Sequence, residues 1–185
     1  MTIVGVLHLV PIYCGVSGDL LAPLAARLTD VFGLRVEQHP PAFDPELALD
    51  ASRGQYNSRI LLAQLLNQKT DRATRVLGVA GVDLFIPVLT FVFGEAQLDG
   101  PVAVVSSFRL NNEIYGLPTD DQLLLERLCK EAVHELGHTY NLLHCHTQPC
   151  VMNSSTLVDA VDQKSAGFCD ACRDRLQRAV GNEGA

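Results

Sequence analysis

Basic residues are in short supply in this chain. Lys and Arg number 14 against 21 Asp and Glu, giving a net charge of −7 and a pI near 5.2. A general nucleic-acid binder needs a basic face, so this balance argues against that class. The chain also lacks an uninterrupted apolar run of membrane length. Residues 76–93 come nearest, but Asp83, Pro87 and two glycines break them up, and they alternate as strands do. The apolar opening, Thr2 to Val10, has no Lys or Arg ahead of it and no small-residue cleavage site, so it reads as a buried strand rather than a secretory leader. Internal repeats and low-complexity segments are missing too. What remains fits a soluble globular protein of 185 residues, 48% apolar and 19% charged, long enough for one domain over 1–185 with a sizeable core. The expected setting is the cytoplasm and the expected working form a monomer, with no nucleic-acid or membrane partner.

The pattern along the chain predicts strands over 3–10, 34–38, 75–83, 89–93 and 102–108, with loop from 11 to 18. Helices are predicted over 19–32, 57–68, about 120–140 and 170–180, while 44–53 stays open between loop and short helix. Gly33 is a natural stop for the first helix, and His39-Pro40-Pro41 ends the second strand, because proline cannot continue a ladder. The short turn at Asp99-Gly100-Pro101 makes the last strand pair antiparallel. Thr119, as N-cap, and Gln122 form a capping box opening the long helix. This order describes an α/β (α+β) fold: a mixed sheet with helices packed on it.

The chemistry concentrates in His134-Glu135-Leu136-Gly137-His138, with His144 six residues on. Residues four apart share a helix face, so His134 and His138 can offer imidazoles to one metal ion, with Glu135 beside them. Three histidines and an open position describe a catalytic zinc. Zinc brings the pKa of its bound water from ~15.7 towards ~7, and Glu135 would take the proton and pass it to the leaving amine. His144 reaches the metal only if the helix stops and the chain turns back. Asn141 is the expected terminator, because asparagine tolerates the left-handed region at a cost of order 1 kcal/mol against glycine.

Six cysteines are present, four of them late in the chain. Cys145, Cys150, Cys169 and Cys172 read C-x4-C and C-x2-C, which suits a closed, structural zinc. Two disulfides and a zinc-ribbon nucleic-acid module are the competing readings. The absent leader weighs against the first, and four basic against five acidic residues from His144 onward weigh against the second. Cys145 follows His144 directly, so the second metal would pin the turn that presents the third histidine.

H-E-x-x-H-x5-H, followed at once by Cys145-x4-Cys150-Val151-Met152 and later by Phe168-Cys169-x2-Cys172, resembles the archaemetzincins, a branch of the metzincin zinc metallopeptidases. The likeness spans Ser106 to Cys172 and includes Phe108-Arg109-Leu110, Tyr115-Gly116-Leu117 and Lys130-Glu131. It implies a metzincin-like fold: an upper part, 1–141, with a twisted sheet, an antiparallel edge strand, backing helices and a long active-site helix, above a small zinc-stapled part, 142–185. It further implies two zinc ions, one catalytic on His134, His138 and His144 with Glu135 as general base, and one structural on the four cysteines. Met152 would form the Met-turn beneath the metal; without the resemblance it reads as an ordinary core residue. The substrate would be a peptide or small protein, laid along an edge strand best matched by Phe93, Gly94, Glu95 and Ala96 within 89–98. Two positions depart from the family pattern. Asn141 replaces the usual glycine, and Ser154 stands where some metzincins carry a tyrosine.

Other residues read as structural. Cys14 and Cys129 are expected to be buried thiols, His8 a core histidine, His39 a loop residue and Tyr140 packing. The lower wall of the cleft falls to 153–167. Glu95 is a guess for a group that reads a substrate ammonium. The alternative to hydrolysis is a zinc-stabilised module that holds a peptide without cutting it. Glu135 discriminates, because such a module has no use for a carboxylate there.

Overall fold

The computed structural model describes residues 5–14, 20–69 and 74–183. The expected strand residues 3–4, the second half of the 11–18 loop, helix residue 19 and the final two residues of the tail lie outside them. Strand β1 (Val6–Ile12), helix α1 (Leu21–Phe32) and β2 (Arg35–Gln38) come first, followed by β3 (Leu49–Asp50), β4 (Gln55–Asn57) and α2 (Ser58–Leu66). Next are β5 (Thr74–Ala80), β6 (Leu84–Phe85), β7 (Gly94–Ala96) and β8 (Val102–Ser106). Helices α3 (Asp121–Thr139), α4 (Val158–Gln163) and α5 (Asp170–Glu183) complete the chain. The main sheet has the order β2-β1-β5-β8-β7, parallel except for β7, which runs antiparallel to β8 along one edge. A small second sheet joins β3, β4 and β6.

Alternation along the strands sorts the core into two layers. Leu7, Leu9, Leu77, Val79, Ala103 and Val105 face α1 and α3, while Val10, Ile12, Val76, Ala80, Val102 and Val104 face α2. Leu142, Val151, Met152, Val161, Phe168 and Leu176, from beyond α3, join the first layer. Helix α1 ends where expected: Gly33 adopts φ 66° and its N–H bonds to the Thr29 carbonyl.

Several boundaries differ from the sequence expectation. Strand β1 runs on through Pro11. The Leu9 carbonyl accepts the His39 N–H at 3.0 Å on the β2 side, so Pro11, two residues on, faces that same side after β2 has ended. Its missing donor therefore costs the ladder nothing. The expected strand 75–83 stops at Ala80, and Leu84–Phe85 pairs with β4 in the small sheet instead. Residues 89–93 form no strand beyond a single bridge between Leu84 and Val92. Their carbonyls are taken by side chains from afar: Arg53 bonds to Leu89 and Thr90 at 3.2 and 3.1 Å, and Gln55 bonds to Thr90 at 2.9 Å. Phe91 lies under Arg109, which is itself held by two 2.6 Å bonds to Asp83. Backbone groups satisfied in this way need no neighbouring strand.

The open stretch 44–53 resolves into a 3-10 turn over Pro45–Ala48, then β3 and a turn. The cap of α3 is Asp120, not Thr119. Asp120 Oδ1 accepts the Leu123 N–H at 2.9 Å, while the Thr119 hydroxyl donates to Glu113 and Gln122 bonds to Glu126. Asparagine and aspartate cap better than threonine, and the shift moves the helix start by one residue. Helix α4 has no counterpart in the expectation. Helix α5 continues to Glu183, past the point where a fraying tail was expected to begin.

Candidate metal centre

Helix α3 carries His134, Glu135 and His138 along its final turns, which are buried against the sheet. Two backbone acceptors orient the imidazoles. His134 Nδ1 donates to the Val151 carbonyl at 2.8 Å, and His138 Nδ1 donates to the Leu142 carbonyl at 2.6 Å. Each bond assigns the proton to Nδ1 and leaves Nε2 as a free lone pair. The two Nε2 atoms meet at 3.1 Å. Burial chiefly, and then the positive Lys164, hold the His134 pKa well below the usual histidine value, and burial also lowers His138 and His144. All three are therefore neutral, as ligation requires.

The helix ends in a complete Schellman motif. Asn141 stands at φ 61°, its N–H bonds to the His138 carbonyl at 2.9 Å, and the Leu142 N–H bonds to Gly137 at 3.1 Å. The reversal brings His144 to the other two, with ring centroids 5.3 Å from His134 and 5.0 Å from His138. Beyond it the Cys145 N–H bonds to the Met152 carbonyl at 2.9 Å. Met152 is fully buried with its side chain against α3, and its place explains a glycine that sequence reasoning passed over. A Cβ on Gly137 would stand 2.5 Å from Met152 Sδ. A clue was available, since glycine inside a helix costs about 1 kcal/mol and asks for a close neighbour.

The four late cysteines gather as well, with one sulfur from each within 4.8 Å of the others. None of the six cysteines is in a disulfide. Cys145 Sγ and Cys169 Sγ are 3.8 Å apart, the separation of about 3.8 Å that tetrahedral zinc with ~2.3 Å bonds to sulfur imposes. The Thr147 N–H points at Cys145 Sγ (3.3 Å), and the Cys169 N–H at Cys150 Sγ (3.4 Å). Burial raises the Cys145 pKa, but the bonds from Thr147 and neighbouring thiols outweigh it and bring the group to about 7. Cys172 is pushed up by burial and by the thiols around it. Four thiolates cannot coexist there without a cation, so this donor set fits a metal ion. His146 is not among the gathered donors.

A cleft of about 590 Å³ runs over the histidines. Leu89 to Ala96 and Leu98 form one wall, Glu131, His134, Glu135 and His138 the floor, and Leu143, His144 and Ser154 to Thr156 the other wall. Of the expected lower wall, 153–167, only the start faces the cleft. The rest turns into α4, tied to α3 by Arg127 and Asp162 at 2.7 Å.

Glu135 is buried in the floor; burial raises its pKa well above the usual carboxylate value, and the nearby Glu131 adds to the rise. Gly94 lies directly across from it. A Cβ there would meet Glu135 Cγ at 2.6 Å and the Val104 carbonyl at 2.7 Å, so only glycine lets the edge strand approach this carboxylate. Glu95 points the other way. Its carboxylate accepts the Ser58 hydroxyl at 2.5 Å and sits 3.4 Å from Arg59 Nε, on the α2 side, so it is engaged in structure rather than aimed at a substrate ammonium. Beneath the floor Lys164 Nζ lies 2.6 Å from Glu131, both almost wholly buried, and 3.4 Å from the Asn153 carbonyl. Sequence reasoning passed over this pair, because no local pattern links residues so far apart.

The residues demoted on sequence fare differently. Tyr140 is packing, as expected, stacked on Phe32 with Arg75 over its other face. Cys14 and Cys129 are half-buried rather than buried; the Cys14 thiol donates to the Val79 carbonyl, and burial lifts Cys129 to about 11. His8 and His39 come together at one sheet edge with Glu37 between them.

Comparison with known proteins gives a consistent result. Residues 35–178 match peptidase family M54. An archaemetzincin of Methanocaldococcus jannaschii is 40% identical over 162 residues, covering 88% of this chain and 88% of that one. The crystal structure of an archaemetzincin from Methanopyrus kandleri superposes with a TM-score of 0.84 at 37% identity, covering 96% of each chain. A structure described as a zinc-dependent peptidase from Methanocorpusculum labreanum gives a TM-score of 0.81 at 32% identity, covering 92% of this chain and 99% of that one.

Proposed function

The chain belongs to peptidase family M54, the archaemetzincins, and from that premise we propose how its cleft works as a zinc metallopeptidase. His134, His138 and His144 hold the catalytic zinc, and Cys145, Cys150, Cys169 and Cys172 hold a second, structural zinc. The carrying observation is that both Nδ1 atoms on α3 donate to backbone carbonyls while the Nε2 atoms converge at 3.1 Å. When bound, zinc supplies Lewis acidity, making a water easier to deprotonate and polarising the scissile carbonyl.

Glu135 is the general base. It accepts the proton of the attacking water and delivers it to the leaving amine. Burial raises its pKa well above the usual carboxylate value, and a cation held by the neighbouring histidines would favour its ionised form. Gly94 lets the edge strand stand against Glu135, so an extended peptide pairing with the open edge of β7 passes directly over the base. Ser154 brings a hydroxyl to the opposite wall at the position where some metzincins carry tyrosine.

Residues 1–185 act as one catalytic unit, since segments after His144 complete the same core as α1 and α3. A reducing compartment, the cytoplasm, would keep the cysteine ligands as thiolates. Among the described residues no helix is long and apolar enough to cross a membrane. The test is metal analysis joined to a peptide-library digest of wild type and Glu135→Ala. The variant should keep both zinc ions and lose cleavage. A variant that cuts as well as wild type, or a fully loaded wild type that cuts nothing, would overturn the reading, the second in favour of a peptide-holding module.

A further inference from the structure

The sheet edge farthest from the cleft carries a third gathering of donors. Strands β1 and β2 pair in parallel with His8 opposite Glu37. Side chains alternate along a strand, so His39, two residues after Glu37, rises on the same face. The bond from the His39 N–H to the Leu9 carbonyl keeps it in register. One donor atom from each of His8, Glu37 and His39 therefore lies within 4.8 Å of the others. His39 Nε2 is 3.4 Å from Glu37 Oε2, His8 Nε2 is 4.0 Å from that same oxygen, and the two rings are 4.1 Å apart between centroids.

The 3.4 Å contact is at the long limit of a hydrogen bond, most of which fall at about 2.7–3.2 Å, and close to what a shared ion sets, while His8 stands a little farther out at 4.0 Å. Two donors about 2.0–2.1 Å from a tetrahedral metal stand roughly 3.3 Å apart. The His134–His138 pair, at 3.1 Å, has the same spacing. The other oxygen of Glu37, Oε1, is held by Arg35 at 2.9 Å, which turns Oε2 towards the imidazoles. His8 is buried in an otherwise apolar strand between Leu7 and Leu9, while Glu37 and the exposed side of His39 leave a path from solvent.

We propose that His8, Glu37 and His39 form a third metal site, taking a divalent transition ion of the zinc, cobalt, nickel and copper class. Two imidazoles and one carboxylate suit these ions better than magnesium or calcium, which prefer all-oxygen shells. The site is separate from the cleft: it lies on the β2 edge, on the α2 face of the sheet, with three strands between β2 and β7. The bound ion ties edge strand β2 to β1. The positive charge of Arg35 beside Glu37 weakens the attraction for a cation, so this site fills after the other two.

The test uses the full chain with its histidine and cysteine centres already loaded with zinc. Cobalt or copper is then titrated into wild type, His39→Asn and Glu37→Gln, with uptake followed by elemental analysis, cobalt absorption and copper electron paramagnetic resonance. Wild type should take up one further equivalent with two-nitrogen coupling on copper. His39→Asn should bind that equivalent at least about tenfold more weakly with the coupling reduced to one nitrogen, and Glu37→Gln, which preserves shape, should also bind more weakly. Peptide cleavage should be unchanged in both variants, which reports that they are folded and separates this result from the proposed catalytic site. No extra equivalent in wild type, or equal uptake by wild type and either cleaving variant, overturns the proposal.

Discussion

The histidine and cysteine centres meet at the His144–Cys145 peptide, yet they are built in opposite ways. Two histidines stand on a rigid helix, with their Nδ1 protons committed to Val151 and Leu142. The four sulfurs come instead from loops and from the start of α5, and few backbone bonds reach them. A helix sets ligand spacing by its own hydrogen bonds, whereas a loop needs the ion to hold it. The difference implies a hierarchy: the helical half of the proposed catalytic site would persist without metal, while the third histidine would depend on the neighbouring centre.

Four experiments would sharpen or break that contrast. The largest effect is expected at Glu135. Glu135→Gln should lower kcat by ~10² to ~10⁴-fold with zinc content unchanged, measured by peptide cleavage and metal analysis. Zinc lost together with activity would mean that the helix is less self-sufficient than argued. Next is Gly94→Ala, whose Cβ would press on Glu135 Cγ at 2.6 Å. Displacing the base by about an ångström should cost ~10²-fold in cleavage while zinc stays bound, and a fully active variant would show that the strand can simply move aside.

Cys169→Ser comes third. It should weaken zinc binding at the histidines by ~10- to 100-fold, read by competition with a chelator, because the turn carrying His144 loses its anchor. Unchanged affinity would mean that the two centres are independent. The smallest effect is expected at Asn141, at φ 61°. Asn141→Gly should hold or raise stability by up to about 1 kcal/mol, and Asn141→Ala should lower it by a similar amount, in denaturant unfolding of the metal-free protein. If alanine were as stable as glycine, the left-handed turn would not be what ends α3.

The pattern of what was readable follows the same contrast. Residues grouped by local spacing, the pair four apart on α3 and the two cysteine pairs, could be associated without coordinates, because a helical turn or a tight loop translates spacing into proximity. The edge strand is shorter than expected because Arg53 and Gln55, far away in sequence, take up the carbonyls of Leu89 and Thr90 that a strand would have used. Thr119 and Asp120 are both caps by residue type, and only the geometry of the first turn separates them. Gly94 and Gly137 looked like ordinary glycines until their neighbours, Glu135 and Met152, were in place.

By itself the sequence determined the donor types, their spacing along α3 and the need for a left-handed stop at Asn141, because these follow from covalent distance and helix period. Only the tertiary structure decided that Lys164 meets Glu131 beneath the floor, that Glu95 turns away to Ser58, and that His8, Glu37 and His39 share one edge of the sheet. Each of these contacts joins segments brought together by burial of the two apolar layers. Burial follows area rather than order along the chain, so no local pattern encodes which polar groups it leaves side by side.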